Sequence, residues 1–474
     1  MPQNELITLF EMRVGRIAIV TEDGNIVTMD QTGGNTIPLT QDGGQTDGVG
    51  ELVAYSLPVW SPDGQRVAFA RQTFRRSSMR TTIEVRPRAV TIERGPDSIV
   101  IEESEEGMRT ETPGEGTVVE EAPERVIIQR GTNASFVSSS ALYVADAAGR
   151  RPMREVFFSR QEHPLFFDWS PSGDQLALLT RGEQGRVRLQ LVEPRDGAQP
   201  RALFEGRFAA WHWNPRAPSL LARLDSISGR SALALLNPAD GSLTRLSQRD
   251  QPPAFLAPAF SPDGQFLLIT RREGDEQALI LADMRGEARR TLLRFDASAR
   301  ISFAWSPAGA KLAYVIQQPG ESGGPLRVMD VNSGERTLLV NRSVVAFFWA
   351  PDGARIAVFS EAEADEIPPD FKGFDFTPPM PAPTYLLEVV DPATRASRKL
   401  FYFAPTNAFQ QLAAEFDRYS RAVTPWAPDG RKLVFTLTYG SIAQARDFVL
   451  ETEASGSIAP RVIGNGSLAF WSPR

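Results

Sequence analysis

Residues 60–64 read Trp60-Ser61-Pro62-Asp63-Gly64, and the apolar run Val67-Ala68-Phe69 follows after two spacer residues. The same pattern recurs along the whole chain, each time opened by an aromatic residue. The further copies begin at Trp169, Trp213, Phe260, Trp305, Trp349, Trp426 and Trp471. The protein contains eight tryptophans, and all but Trp211 open a copy, so the stretch is an internal repeat rather than a chance match.

The spacing of the repeat predicts its structure. Successive motif aromatics lie 109, 44, 47, 45, 44, 77 and 45 residues apart, and a period of about 45 is typical of four-stranded propeller blades. The unit that surrounds Trp305 shows four short β-prone runs separated by turn residues. Pro-Asp-Gly suits a tight turn, because Pro presets φ and Gly accepts positive φ. We therefore predict an all-β, closed β-propeller, with two insertions at the long intervals.

The two ends of the sequence complement each other. Residues 467–474 supply only the first strand and turn of a blade, whereas residues 15–40 match the second, third and fourth strands. We expect them to form one shared blade, since closure removes exposed strand edges. Seven further motifs then give eight four-stranded blades within a single propeller of residues 1–474, and a ninth blade hidden in the first insertion is the alternative.

The Trp-Ser-Pro-Asp-Gly pattern resembles the PD40 (WD40-like) repeats of bacterial TolB-like β-propellers, over nearly the whole chain outside the insertions. The resemblance implies a structural role for the motif aromatics. It also implies that the mouth of the propeller channel binds protein or peptide partners. The same type of propeller precedes the hydrolase domain of prolyl-oligopeptidase-like enzymes, but no residues remain here for such a domain.

Composition excludes several classes of function. The chain has 474 residues, a net charge of −7 and a pI near 5.3, so it lacks the basic footprint of a nucleic-acid-binding protein. The absence of cysteine excludes disulfides, thiolate catalysis and cysteine-based metal sites. No apolar run approaches the 18 or so residues of a membrane span. The sequence as written predicts a cytoplasmic protein, or an extracytoplasmic one if a leader has been removed.

The first insertion covers residues 75–140 and predicts an acidic β-hairpin or arm within one blade. Its central stretch carries the carboxylates Glu102, Glu103, Glu105 and Glu106. These residues form either a solvated loop or a docking arm for a basic partner.

The second insertion, residues 362–385, alternates prolines with Phe371, Phe374 and Phe376. It forms either a cover that packs on a neighbouring blade or a surface for a partner. A third candidate surface is the long connection before Trp426, where a helical turn would place Asp417, Arg418 and Tyr419 at the channel mouth. Arg and Tyr are common binding anchors.

Motifs of catalysis and metal binding are weak. Residues 320–324 fit Gly-x-Ser-x-Gly, but they join two strands of one blade instead of turning from a strand into a helix. Two histidines, His163 and His212, are too few for a three-histidine zinc site. We therefore assign no catalytic, cofactor or metal residues.

Two functions remain open at this stage. The main hypothesis is a non-catalytic scaffold that binds a protein or peptide, alone or as a subunit of a larger assembly, because no polar constellation interrupts the repeat at one place. The alternative is a propeller enzyme, a hydrolase or lyase, with its site at the central channel.

Overall fold

The computed structural model describes residues 15–46, 51–85, 90–95, 98–103, 109–111, 117–122, 125–246, 259–363, 366, 383–440 and 444–474. The chain divides into two compact units. The first comprises Met1–Gln45, Val53–Gln72 and Ser139–Arg474, and the second comprises Thr46–Leu52 and Thr73–Ser138.

Nearly all regular elements of the described residues are β-strands. The first half of the chain contains β1 (Ile17–Val20), β2 (Ile26–Met29), β3 (Ile37–Pro38), β4 (Leu52–Trp60), β5 (Arg66–Val85), β6 (Val90–Gly95), β7 (Ser98–Glu103), β8 (Arg109–Glu111), β9 (Thr117–Ala122), β10 (Arg125–Asp146), β11 (Arg154–Ser159), β12 (His163–Trp169), β13 (Leu176–Arg181), β14 (Val187–Val192), β15 (Arg201–Gly206), β16 (Phe208–Trp213), β17 (Leu220–Asp225), β18 (Ser231–Leu236) and β19 (Leu243–Leu246). The second half contains β20 (Ala259–Phe260), β21 (Leu267–Glu273), β22 (Glu276–Ala282), β23 (Ala288–Asp296), β24 (Arg300–Trp305), β25 (Lys311–Gln317), β26 (Gly324–Asp330), β27 (Arg336–Trp349), β28 (Ile356–Glu361), β29 (Tyr385–Val390), β30 (Ser397–Phe403), β31 (Lys432–Tyr439), β32 (Arg446–Glu453), β33 (Arg461–Asn465) and β34 (Leu468–Trp471). A 3₁₀ turn (Glu183–Gly185) and two helices, α1 (Asn407–Ala414) and α2 (Phe416–Tyr419), complete the described elements.

The first unit consists of antiparallel sheets in which most neighbouring strands follow one another in sequence, the exception among those below being the neighbours β5 and β10. The sheet orders are β4-β5-β10-β11, β12 to β15, β16 to β19, β20 to β23, β24 to β30, and β31 to β33. In the seven-stranded sheet, β27 is shared: its first part pairs with β26 and its second part with β28. The predicted all-β propeller is confirmed, whereas the number of eight blades stays a prediction.

A further sheet joins the two ends of the chain. Its order is β3-β2-β1-β34, and the register of its central pair sets Ile17 opposite Trp471 and Val20 opposite Leu468. All four residues of β1 are buried, as are all four of β34. The shared sheet predicted from the incomplete ends of the repeat is therefore present.

The motif turn has the same geometry in its six complete copies. The motif glycines adopt φ between 67° and 86°, a region that disfavours side chains. In the copy at Trp349, the Gly353 amide donates to the Ala350 carbonyl at 2.8 Å and the Ala350 amide donates to the Arg355 carbonyl at 2.8 Å. This double closure reverses the chain from the first strand into the second.

The motif tryptophans join neighbouring copies of the repeat. In four copies the indole N–H donates to the backbone carbonyl of the residue just before the preceding motif aromatic. These bonds are Trp60 to Phe470 (3.2 Å), Trp169 to Val59 (3.2 Å), Trp349 to Ala304 (3.1 Å) and Trp426 to Phe348 (2.8 Å). The buried indole nitrogens of Trp305 and Trp471 have no partner among the described residues. The repeated aromatic thus supplies both apolar contact area and a fixed bond to the preceding copy of the repeat.

Most of the second unit, Thr73–Ser138, falls in the region predicted as an insertion, and Thr46–Leu52 precedes that region. Strands β6, β7 and β8 form a three-stranded antiparallel sheet, and β9 pairs with β10, with Arg125 opposite Ala122. The domain boundaries drawn from the sequence stay a prediction.

Candidate functional site

The connection between β30 and β31 forms both α-helices found among the described residues. The Thr406 side chain caps α1 by accepting the Phe409 amide N–H at 3.3 Å. Phe409 is buried against Phe359 at a ring-centroid distance of 4.9 Å, and Phe416 of α2 packs 4.5 Å from the ring of Phe347. Apolar side chains therefore anchor residues 407–424, called here the helical connection, to β27 and β28.

The helical connection also contacts the first strands of two sheets that lie far from it in the sequence. The Tyr419 hydroxyl donates to the Leu165 carbonyl at 3.3 Å, and its ring meets Phe166 edge-on at 5.4 Å. The Arg418 guanidinium lies 5.9 Å from the ring centroids of both Phe166 and Phe208. The connection thus packs against β12 and β16, which lie about 200 residues earlier in the sequence, as well as against β27.

Beside this contact, a carboxyl group is buried on β12. Asp168 is 7% exposed, and its Oδ1 accepts the indole N–H groups of Trp211 at 2.8 Å and Trp213 at 3.0 Å. Desolvation raises the pKa of Asp168 to about 7, although the two indole hydrogen bonds and the positive charge of Arg421 act in the opposite direction. Both indoles donate to Oδ1, so the proton of the neutral acid belongs on Oδ2.

A histidine of the strand that carries both tryptophans faces the neighbouring sheet instead. His212 lies between the two tryptophans on β16, and its Nδ1 accepts the backbone N–H of Phe260 at 2.9 Å. The ring proton of the neutral imidazole is therefore on Nε2. Desolvation, and secondarily the charge of Arg421, lowers the pKa of His212 well below its usual value. We call Asp168, Trp211, Trp213 and Arg421 the inner-strand cluster. The His212 side chain is not part of it, because successive side chains of β16 point to opposite faces.

The sequence analysis missed this cluster, although its signal was present. Asp168 and His212 both stand directly before a motif tryptophan, in successive copies of the repeat. The other six copies have an apolar residue at that position: Val59, Ala259, Ala304, Phe348, Pro425 and Phe470. The expectation that no polar constellation interrupts the repeat is therefore wrong, because two adjacent copies replace an apolar residue by an ionisable one.

The residues predicted to bind a partner are not brought together among the described side chains. Arg418 and Tyr419 pack against inner strands, as given above. Glu102 and Glu103 lie at the end of β7, and Asp417 lies in α2, but their side chains are outside the described part. The remaining predicted residues, Glu105, Glu106, Phe371, Phe374 and Phe376, lie outside the described residues. Partner binding through any of these residues stays a prediction.

The other sequence candidates have ordinary surroundings. Ser322 lies in the hairpin loop between β25 and β26, where its hydroxyl donates to Glu361 at 2.5 Å. His163 begins β12 and shares a 2.8 Å hydrogen bond between its Nδ1 and the Ser140 hydroxyl. Within the described residues there is no group of three or more His, Asp or Glu side chains arranged for a metal ion. The same residues contain no helix long and apolar enough to cross a membrane.

Known structures share the fold of this chain at low sequence identity. The structure of dihydro-heme d1 dehydrogenase NirN is 14% identical, with a TM-score of 0.50, and the match covers 97% of this chain and 76% of that one. TolB from Acinetobacter baumannii is 19% identical, with a TM-score of 0.36, over 54% of this chain. An oligogalacturonate lyase is 14% identical, with a TM-score of 0.43, over 63% of this chain and 76% of the other. The match spans 58% of the length of the TolB structure.

No family model and no curated protein sequence matches the chain. The resemblance to TolB-like propellers, inferred from the repeat, is confirmed at the level of the fold.

The comparisons correct the functional hypothesis. The prediction of a non-catalytic binding scaffold is wrong as an inference from the fold, because the similar structure that covers nearly the whole chain is that of a dehydrogenase. A propeller of this type is compatible with catalysis, so function has to be argued from the side chains.

Proposed function

We propose that the protein is a propeller enzyme, a hydrolase or lyase, whose acid–base group is Asp168 on β12. The observation that carries the proposal is the pKa of this carboxyl, raised to about 7 by burial. A group with a pKa near the working pH is present both as acid and as base, as proton transfer in a catalytic cycle requires.

The surroundings of Asp168 suit that role. The indole groups of Trp211 and Trp213 hold Oδ1, so the carboxyl has a fixed orientation and Oδ2 is the oxygen that gains or loses the proton. Arg421 is partly exposed, which gives a reactant access to the edge of the cluster.

The charge balance of the cluster favours an anionic substrate. Arg421 is close enough to lower the pKa values of both Asp168 and His212 by its positive charge. An arginine in this position would attract a carboxylate or phosphate and would stabilise negative charge that develops during hydrolysis or elimination. With Asp168 in its basic form, the proton would pass from water or from a carbon acid to Oδ2.

The first experiment measures the protonation state without any substrate. Infrared difference spectra of the wild type and Asp168→Asn at about pH 6 would show the C=O stretch of a protonated carboxylic acid in the wild type alone. The matched control is Asp263→Asn, which changes an exposed carboxylate in a motif turn. Titration of Asp168 at the ordinary value of 3.8 would contradict the proposal.

The second experiment tests catalysis. Wild type, Asp168→Asn and Asp263→Asn would be screened against anionic lactones, carboxylate-bearing esters and uronate oligosaccharides. We expect turnover of at least one class by the wild type and the control, with a loss of about 10²–10⁴-fold in Asp168→Asn, the usual contribution of a general acid or base. Equal rates for all three proteins, or no turnover of any class, would refute the proposed function.

A further inference from the structure

A groove of about 640 Å³ lies between two sheets that are consecutive in the chain. One wall comes from β23, the last strand of its sheet, and the other wall comes from the face of β25, β26 and β27. No residue of the inner-strand cluster lines the groove, so it is separate from the proposed catalytic group. Its volume lies within the ~300–1,000 Å³ typical of small-molecule sites.

The middle of the groove is apolar. Leu293 and Phe295 on β23 are buried, and Ile316 and Leu338 lie on the opposite wall. Leu338 is 47% exposed, so part of this apolar surface faces water. Because removing apolar area from water is favourable, the groove suits a ligand with a hydrocarbon body.

One part of the groove carries positive charge. Tyr314 and Arg327 stand opposite each other in the register of β25 and β26. Tyr314 is only 2% exposed, yet neither its hydroxyl nor the Arg327 guanidinium has a hydrogen-bond or ion-pair partner among the described residues. A second guanidinium, that of Arg336, donates to the Leu292 carbonyl at 2.6 Å. Burial raises the pKa of Tyr314 against the positive charges of Arg336 and Arg327, so its phenol is a neutral hydrogen-bond donor.

Another part of the groove carries negative charge. It is lined by Asp296, which ends β23, and by Glu321, in the hairpin loop after β25. Hydrogen bonds from the hydroxyl and the backbone N–H of Ser298 lower the pKa of Asp296, so this carboxyl is ionised at neutral pH. Neither carboxylate forms an ion pair with the described residues. The third arginine of the lining, Arg294, is already paired with Glu273 at 2.7 Å.

The two charged parts are separated along the strands. Leu292, which accepts the Arg336 hydrogen bond, and Asp296 stand at opposite ends of one stretch of β23. At about 3.3 Å per residue their backbones are roughly 13 Å apart. On the other wall, Tyr314 lies in the middle of β25, whereas Glu321 follows the end of that strand. The groove is therefore positive in one part and negative in another, with apolar side chains between them.

We propose that this groove binds a linear ω-amino acid, a hydrocarbon chain with a carboxylate at one end and an ammonium at the other. The carboxylate accepts hydrogen bonds from Arg327 and from the Tyr314 hydroxyl. The ammonium lies between Asp296 and Glu321, and the chain covers the apolar middle of the groove. Charge-assisted hydrogen bonds at both ends favour this ligand over a molecule that carries only one of the two charges.

The probes are γ-aminobutyrate, ε-aminocaproate and ω-aminocaprylate, which differ in chain length, measured by isothermal titration calorimetry. Hexanoate and hexylamine are the comparison ligands, since each carries one of the two charges on a similar chain. We expect at least one amino acid to bind the wild-type protein at least tenfold more tightly than either comparison ligand does. Its affinity should change with chain length, because the two charged parts of the groove are a fixed distance apart.

Four variants test the two ends. Arg327→Gln and Glu321→Gln should each lower the affinity for that amino acid at least tenfold. Their controls are Arg289→Gln on β23 and Glu335→Gln in the turn before β27, which change exposed residues outside the groove and should leave binding unchanged.

Tyr314→Phe covers the case in which Arg327→Gln does not fold. It removes only a hydroxyl that has no partner among the described residues, so the variant should be as stable as the wild type. We expect it to bind the amino acid several-fold more weakly. The proposal is wrong if no amino acid binds better than hexanoate and hexylamine, if the controls weaken binding as much as the groove variants do, or if Tyr314→Phe binds like the wild type.

Discussion

Replacing Trp426 by Phe tests whether the indole bonds between copies of the repeat contribute to stability. Trp426 is fully buried, and its N–H donates to the Phe348 carbonyl at 2.8 Å. Phenylalanine keeps an aromatic ring but leaves that carbonyl buried without its donor, which costs about 1–3 kcal/mol. Loss of the larger ring adds a packing term that any motif Trp→Phe change shares.

Trp471 provides the matched comparison. It opens another copy of the motif and is 1% exposed, but its indole nitrogen has no hydrogen-bond partner among the described residues. Trp471→Phe therefore loses ring volume without breaking a bond. The Arg355 guanidinium, 5.7 Å from the Trp426 ring centroid, adds a smaller difference of about 0.5–1 kcal/mol, part of which a phenyl ring retains.

Equilibrium urea unfolding of the two variants and the wild type measures the difference. At unchanged m-value, Trp426→Phe should be less stable than Trp471→Phe by about 1–3 kcal/mol. An equal loss in both variants would show that the tryptophans act by packing alone, and the hydrogen-bonded join between copies of the repeat would then have no energetic role.

Three further predictions concern the cluster, the shared sheet and the motif turns. The folded state holds the Asp168 proton more tightly than the unfolded state does, so this stabilisation is complete below about pH 4 and is lost as the pH rises through about 7. Urea midpoints of Asp168→Asn should therefore depend less on pH across that window than those of the wild type, and parallel profiles would contradict the raised pKa. Deletion of residues 468–474 removes β34 and exposes the edge of β1, so size-exclusion chromatography should show aggregates, whereas a well-behaved monomer would speak against the shared sheet. Alanine in place of Gly353 or Gly309 would have to adopt a positive φ, which costs about 1–2 kcal/mol at either position. Only at Gly353 would the new Cβ also meet neighbouring atoms, because it would lie 2.5 Å from the Ser306 hydroxyl. Thermal unfolding should rank Gly353→Ala below Gly309→Ala, and the reverse order would exclude the steric explanation.

The fold was predictable because its determinants are local and repeated. Pro-Asp-Gly fixes a turn within five residues, and the strands on either side of it alternate with further turns at a constant period. Even the pairing of β1 with β34 followed from counting which strands the incomplete ends lacked. The sequence predicted only a helical turn where the structure has two helices. Asn407–Ala414 is one short amphipathic segment, and its stability comes from packing on β27 and β28, which the local sequence does not reveal.

The inner-strand cluster could not be derived in the same way. It combines β12, β16 and the helical connection, which are separated by more than 200 residues in sequence at their extremes. A raised pKa depends on desolvation, and desolvation depends on tertiary packing that the composition does not reveal. The departure of Asp168 and His212 from the apolar consensus of the repeat was visible in the sequence, but their proximity to Arg421 was not.

The sheet that pairs β1 with β34 also has a consequence for biosynthesis. Ile17 is translated well before its partner Trp471. At roughly 5–20 residues per second, the nascent chain carries the unpaired edge of β1 for on the order of 20–90 s. During this time the strand is open to pairing with other polypeptides, so the dependence of this protein on chaperones in the cell should be greatest before β34 is synthesised.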